Sequence, residues 1–222
     1  MANSKRQKAL EYFIEFILVI VGISIAFWLN EQAEESKKDK LEVQYLEDIL
    51  EDLTADIELI EYLTILSQDK TNNLKRALTY FSDEPDALPF DSLPVYTPVI
   101  GNLNIFQPNN FTYISLKQSG DFKIIKDHDI RKHLVQLYSS YESIDLEQNN
   151  LMKALDDHFY PQYFQNFEMT SGTVINPEFF KSPFLSNFLD FAYNQTNTIL
   201  VYFERSKTLA EQTVDLIEER LH

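Results

Sequence analysis

The 222-residue chain has no cysteine, only four glycines and far fewer basic than acidic residues. Each shortage excludes something. Without cysteine there is no disulfide, no thiolate nucleophile, no iron–sulfur cluster and no Cys-ligated zinc. Four scattered glycines cannot build a dinucleotide- or phosphate-cradling loop. With 19 Lys+Arg against 35 Asp+Glu the formal net charge is -16, a poor electrostatic match for nucleic acid. What the chain does have is 17 Phe and 12 Tyr, and enough length for one or two domains with a real core.

The charge is unevenly placed. Residues 1–29 carry Lys5, Arg6 and Lys8 against Glu11 and Glu15, so almost the whole negative charge lies beyond Leu29. The split coincides with an apolar run. Ala9 to Leu29 is 21 residues, roughly 31 Å as a helix at about 1.5 Å per residue, which matches a hydrocarbon core of about 30 Å. Its Leu, Ile, Val and Phe residues sum to roughly -5 kcal/mol on the insertion scale. Tyr12 and Trp28 stand near the two expected interfaces, as an aromatic belt would. A cleaved signal peptide would also start basic and apolar. Trp28-Leu29-Asn30-Glu31, however, is a poor small-x-small cleavage site. The reading is therefore an uncleaved, single-pass transmembrane helix at residues 9–29 behind a short tail at 1–8. The basic residues nearest the membrane are Lys5, Arg6 and Lys8, which favours a cytoplasmic N-terminus, with residues 30–222 periplasmic in a bacterial inner membrane.

An acid inside a membrane segment is a functional candidate by default. At 100° per residue, Glu15, Val19, Gly22 and Ala26 share one helix face. Gly22-x-x-x-Ala26 is a small-x-x-x-small pair that permits close helix approach. This face is the candidate interface with a second copy or another envelope protein. The plainer alternative has Glu15 near the end of the span, reaching headgroups or solvent.

Beyond the span, residues 31–69 hold thirteen acids and three basic residues. Under that charge runs an apolar stripe of Val43, Leu46, Leu50, Leu53, Ile57 and Ile60, spaced 3, 4, 3, 4, 3 like a coiled-coil seam. No Gly or Pro interrupts residues 23–84, so residues 30–82 are expected to form an acidic helical stalk that doubles as the first bundle helix. Residues 83–110 hold Pro85, Pro89, Pro94, Pro98 and Pro108 and read as a connector, with short extended pieces such as Val95–Ile100. Residues 111–222 read as the rest of the bundle. Gly120 is the expected left-handed stop of a short helix, and Asp127 the N-cap of a long one that ends before Pro161. Asn176 before Pro177 and Ser182 before Pro183 are two further N-cap signals. No convincing run of alternating strands occurs, so the expected class is all-α: a transmembrane helix leading into an antiparallel helical bundle.

Two segments carry a resemblance. Glu15-Phe-Ile-Leu-Val-Ile-Val-Gly22-Ile-Ser-Ile-Ala26 is followed by Asn30-Glu31, Tyr45-Leu46 and Asp52-Leu53. Tyr113-x-x-Leu116-x-x-Ser119-Gly120 is followed by Ile124-Ile125, Asp127-x-Asp129-Ile-Arg131 and Leu137-Tyr138. Together they resemble an uncharacterised family of bacterial single-pass membrane proteins, a domain of unknown function. The family tends to have Gly where Ile14 stands here. The resemblance implies membrane anchoring and no known enzyme activity.

No catalytic or cofactor motif stands out. His128 and His133 are about 140° apart around a helix and cannot easily share a metal. The acidic run contains no calcium loop, and there is no Gly-x-Ser-x-Gly. An aromatic cluster is more suggestive: Phe159, Tyr160, Tyr163, Phe164, Phe167, Phe180, Phe184 and Phe188 could line an apolar pocket or could fill the core. The expected function is non-enzymatic, through contacts with itself or another envelope protein. The alternative is a periplasmic sensor or ligand-binding module that uses the aromatic residues.

Overall fold

The computed structural model describes residues 2–82 and 89–222, with side chains described from Phe13 onward except those of Ile14 and Phe90. The fold is all-α apart from one tiny two-stranded sheet. Helix α1 runs unbroken from Ala2 to Leu78, 77 residues, or about 115 Å at 1.5 Å per residue. Nothing in its sequence offers a break until the chain nears Pro85. Residues 15–40 are exposed throughout, so this half of α1 stands clear of the rest of the chain. By length and composition its apolar part can cross a membrane. Packing begins at Glu42, roughly 20 Å beyond Leu29 along the helix axis.

From Glu42 the buried positions of α1 are Leu46, Ile49, Leu53, Asp56, Ile60, Leu63, Ser67, Lys70, Leu74 and Ala77. They alternate by 4 and 3, a continuous heptad seam. The seam differs from the expected apolar stripe. Val43 is exposed, and Leu50 and Ile57 only border the core, while Ile49 and the polar Asp56 lie in its centre.

The chain then returns along α1. A 3-10 turn (Phe90–Ser92) leads into helix α2 (Leu93–Tyr96) and the 3-10 turn of residues 97–101. Val95–Ile100 is thus helical rather than extended. Pro94 and Pro98 each sit in the first turn of a short helical segment, where a missing N–H costs nothing. The extended stretch is residues 102–110 instead. Helix α3 (Phe111–Ser119) follows and stops at Gly120, whose φ of 80° makes the left-handed turn that a side chain would strain.

Helix α4 (His128–Ala154) starts beside Glu42, where the Asp127 carboxylate accepts from the Asp129 and Ile130 amides at 2.7 and 3.1 Å. The helical path does not end before Pro161. It passes through a π-turn at Leu155–Phe159 into α5 (Tyr160–Asn166). The wider turn lets the Tyr160 amide reach the Leu155 carbonyl and places Pro161 in the first turn of α5. A hairpin of β1 (Phe167–Glu168) and β2 (Thr173–Val174) reverses the chain, with Gly172 at φ 69°. Asn176 starts only a turn. Its Oδ1 accepts from the Glu178 amide at 3.2 Å, and a 3-10 segment over Phe179–Lys181 ends at Ser182. Ser182, extended because it precedes a proline, then caps α6 (Pro183–Leu221) by accepting from the Leu185 amide at 3.3 Å.

Helix α6 runs back along both α1 and α4. Lys207 meets Glu61 at 2.7 Å and Arg220 meets Glu42 at 3.3 Å, while Ser206 and Ser140 share a hydrogen bond of 2.7 Å. Its seam of Leu189, Ala192, Thr196, Ile199, Phe203, Ser206, Ala210, Thr213 and Ile217 is again spaced by 3 and 4. The result is an up–down–up–down bundle in which the second leg is the connector plus α3.

Glu42 ties the legs together at the end nearest the apolar span. It is buried, accepts the Lys126 amide at 2.7 Å and pairs with Arg220 from the last turn of α6. Glu42→Ala is expected to cost about 2 kcal/mol in a denaturant melt, because a charge-assisted bond to a backbone amide is lost. Glu42→Gln keeps an acceptor for that amide and loses only the half-exposed Arg220 pair, so it should cost under about 1 kcal/mol.

Candidate functional site

The second leg creates the chemistry of this bundle. An extended segment cannot satisfy its own backbone, and residues 102–110 lie between helices that have no free backbone groups to offer. Side chains of the seams do it instead. Lys70 Nζ donates to the Asn102 carbonyl at 2.6 Å, and Asn104 Nδ2 donates to Ser67 Oγ at 3.1 Å. Gln148 of α4 grips Phe106 on both sides: its Oε1 accepts the Phe106 amide at 2.7 Å and its Nε2 donates to the Phe106 carbonyl at 3.2 Å. Asp56 Oδ1 accepts from both the amide and the side chain of Asn109, at 2.8 and 3.0 Å. The Tyr138 hydroxyl donates to the Asn109 carbonyl at 3.1 Å.

Two of these groups are ionisable and deeply buried. Burial pushes the Asp56 carboxyl up to about 6, against the opposing pull of the two Asn109 hydrogen bonds. Burial alone pulls the Lys70 ammonium down to about 8. Asp52, one turn before Asp56, is also raised by burial, and Thr112 opposes that rise. Burial raises the Tyr138 and Tyr141 hydroxyls, with the Asp56 charge adding to it. The Tyr141 hydroxyl lies beside the Asp56 carboxyl. Yet neither it nor Asp56 Oδ2 completes a hydrogen bond of good geometry, and Asp52 Oδ2 is likewise unpartnered.

In front of this buried network a cavity of about 640 Å³ opens between the connector, α3 and α4. Phe106, Pro108, Tyr113, Tyr138 and Tyr141 form its apolar walls, and Lys117, Glu142 and Asp145 are among its charged residues. Tyr113 and Tyr138 stack at 3.9 Å with planes 8° apart, and Phe106 packs edge-on to Tyr141 at 5.0 Å. The volume falls in the range of small-molecule sites.

The aromatic cluster that the sequence offered as an apolar pocket is elsewhere, and it is a core. Phe159, Tyr163 and Phe180 are buried, and Phe159 stacks on both Tyr163 and Phe188 at 5.1 Å. Tyr163 continues onto Phe167, Phe167 onto Phe180, and Phe184 onto Phe188. Tyr160 stacks on Phe164, which is largely exposed. The rings fill the space where α5, the hairpin and α6 meet, and they fill it with one another. The Tyr160 hydroxyl donates to the Gly101 carbonyl at 3.4 Å, and a Cβ on Gly101 would come within 2.8 Å of the Tyr160 hydroxyl oxygen.

The membrane-face residues Glu15, Val19, Gly22 and Ala26 all stand exposed on α1, and Gly22 has no neighbouring atoms within 4 Å of where a Cβ would be. Trp28 is exposed at the end of the apolar run, while the Tyr12 side chain lies outside the described residues. Arg131 donates to the carbonyls of Ile125 and Lys126 and closes the turn before α4. Among the described residues no group of three or more His, Asp or Glu is arranged to hold a metal ion.

Sequence reading passed over Asp56, Lys70, Gln148 and Tyr141. The first two lie off the stripe of Val43, Leu50 and Ile57 that the sequence displays and on the seam that the structure buries, so no local pattern marked them. No family model, no characterised protein and no solved structure matches the chain. The resemblance noted above therefore rests on its own motifs.

The raised Asp56 carboxyl has a consequence for stability. The folded protein holds this proton more tightly than the unfolded chain, whose carboxyl titrates near about 4. Its stabilising contribution is complete below about pH 4 and is lost as the pH rises through about 6. The loss is on the order of 3 kcal/mol. Lys70 works the other way: its burden is relieved as the pH rises from about 8 towards the ordinary lysine value. Asp56→Asn retains an acceptor for Asn109, so it should flatten the stability profile between pH 4 and 7 and leave the protein more stable at pH 7.5. Urea titrations at pH 4.5 and 7.5 test this, and an unchanged slope in the variant would assign the pH dependence to another group.

Proposed function

We propose that this chain is a single-pass protein of a bacterial inner membrane that works by protein contacts and not by catalysis. The N-terminus is cytoplasmic and the bundle of residues 30–222 stands in the periplasm. It acts as a homo-oligomer or as an accessory subunit of an envelope complex. The observation that carries this reading is the continuity of α1. One helix is at once the apolar span, an exposed acidic stem and the heptad-packed first leg of the bundle. A rotation or shift of the span is thereby transmitted to the core without an intervening hinge.

Among the described residues nothing covers the face of Glu15, Val19, Gly22 and Ala26, which is the natural place for a second membrane helix. A carboxyl at that depth favours a partner that offers a hydrogen bond. A second reading, a ligand-binding module, is favoured by the cavity beside Tyr141 and not by the packed rings of Phe159 to Phe188.

Cross-linking in native membranes, followed by mass spectrometry of the products, tests the contact reading. Dimers, higher oligomers or one reproducible partner are expected. Glu15→Leu is expected to shift the size distribution of the purified protein in detergent towards monomer. Monomers alone from native membranes, with no co-purifying partner, would overturn the reading.

A further inference from the structure

We propose that the cavity between the connector, α3 and α4 is a binding site for a small organic cation, an amine or quaternary ammonium with a compact apolar body. The inference rests on the ligand-binding reading and is independent of contacts in the membrane.

The first support is the composition of the walls. Phe106, Tyr113, Tyr138 and Tyr141, each almost wholly buried, line a space of about 640 Å³, large enough for a metabolite-sized molecule. Aromatic faces attract cations through their quadrupole, more strongly where water is excluded. One cation already uses this property: Lys117 Nζ lies 5.7 Å from the centre of the Tyr113 ring. The opposite face of that ring is covered by Tyr138, 3.9 Å away.

The second support is the balance of charge. Glu142 and Asp145 are successive exposed acids on one face of α4, three residues apart, and both belong to the cavity. Glu142 forms no ion pair among the described residues, and its charge is close enough to raise the Tyr113 hydroxyl further above its ordinary value. Lys117 offsets one of the two acids and leaves the cavity negative. Behind the wall stand Asp52 and Asp56, each with an unpartnered oxygen.

The third support is what stands behind the ring of Tyr141, which is 3% exposed. Its hydroxyl lies beside the Asp56 carboxyl, so the aromatic wall has an acid directly behind it. The acids at the mouth supply the counter-charge of a cationic guest. A guest anion would meet Glu142, Asp145 and the Asp56 carboxyl together. The strongly acidic surface also raises the local concentration of cations.

Choline and its neutral isostere 3,3-dimethylbutan-1-ol separate charge from shape. Titration calorimetry of the full chain in detergent micelles at constant ionic strength should show saturable choline binding and roughly tenfold weaker binding of the isostere. Glu142→Gln, an exposed position outside the core, should weaken choline several-fold. Lys117→Gln removes the internal competitor and should tighten it. Equal affinity for choline and the isostere would leave a ligand site but overturn its preference for cations. No saturable binding of either up to about 10 mM would overturn the site itself. Tighter choline binding by Glu142→Gln, or weaker by Lys117→Gln, would also overturn the proposal.

Discussion

The backbone of residues 102–110 is the constraint around which the rest of the bundle is arranged. Three long helices satisfy their own amides and carbonyls, and one extended leg cannot. Placing that leg between α1 and α4 requires polar side chains in the seams, at the heights where its N–H and C=O groups fall. Lys70, Asp56, Gln148 and Tyr138 occupy those heights. Their burial follows from the pairing, and so do the displaced titrations of Asp56 and Lys70. Replacing them all by leucine would make a better coiled coil and a worse socket for the connector. Helix α6 has no such duty. Its buried polar residues are Thr196, Ser206 and Thr213, and the two threonines turn back to carbonyls four residues earlier in their own helix.

The same arrangement explains where the bundle is closed and where it is open. The far end is plugged by rings stacked on rings from Phe159 to Phe188, which takes the place of the disulfides that a cysteine-free domain lacks. The end towards the apolar span is tied by Glu42, which meets the turn before α4 and the last turn of α6. Between them the connector is thin compared with a helix, and α3 is short. The space that a full second helix would have filled is left as the cavity beside Tyr113, Tyr138 and Tyr141. The site is thus a by-product of topology, and its aromatic and acidic lining is what gives it a preference.

Length and periodicity alone determined the all-α class, the apolar helix capable of crossing a membrane and the unbroken run beyond it. These are properties of one helix with its neighbours along the chain, and hydrophobic runs, proline and glycine report them directly. The caps at Gly120, Asp127 and Ser182 were legible for the same reason: each acts on amides or a turn within a few residues. The tertiary structure decided the rest. Whether the rings after Phe159 lined a hole or filled one depended on α6 returning against α5. That Ile49 and Asp56 are core while Val43 is not depended on which face of α1 the connector and α6 cover. That Pro161 did not stop the chain depended on a π-turn that only the surrounding packing holds in place. The cavity is assembled from three segments between Phe106 and Asp145, and no local pattern records that three segments meet. Short-range signals fix what a segment becomes. What it faces is set by partners distant in sequence, and burial, charge and chemistry follow from what it faces.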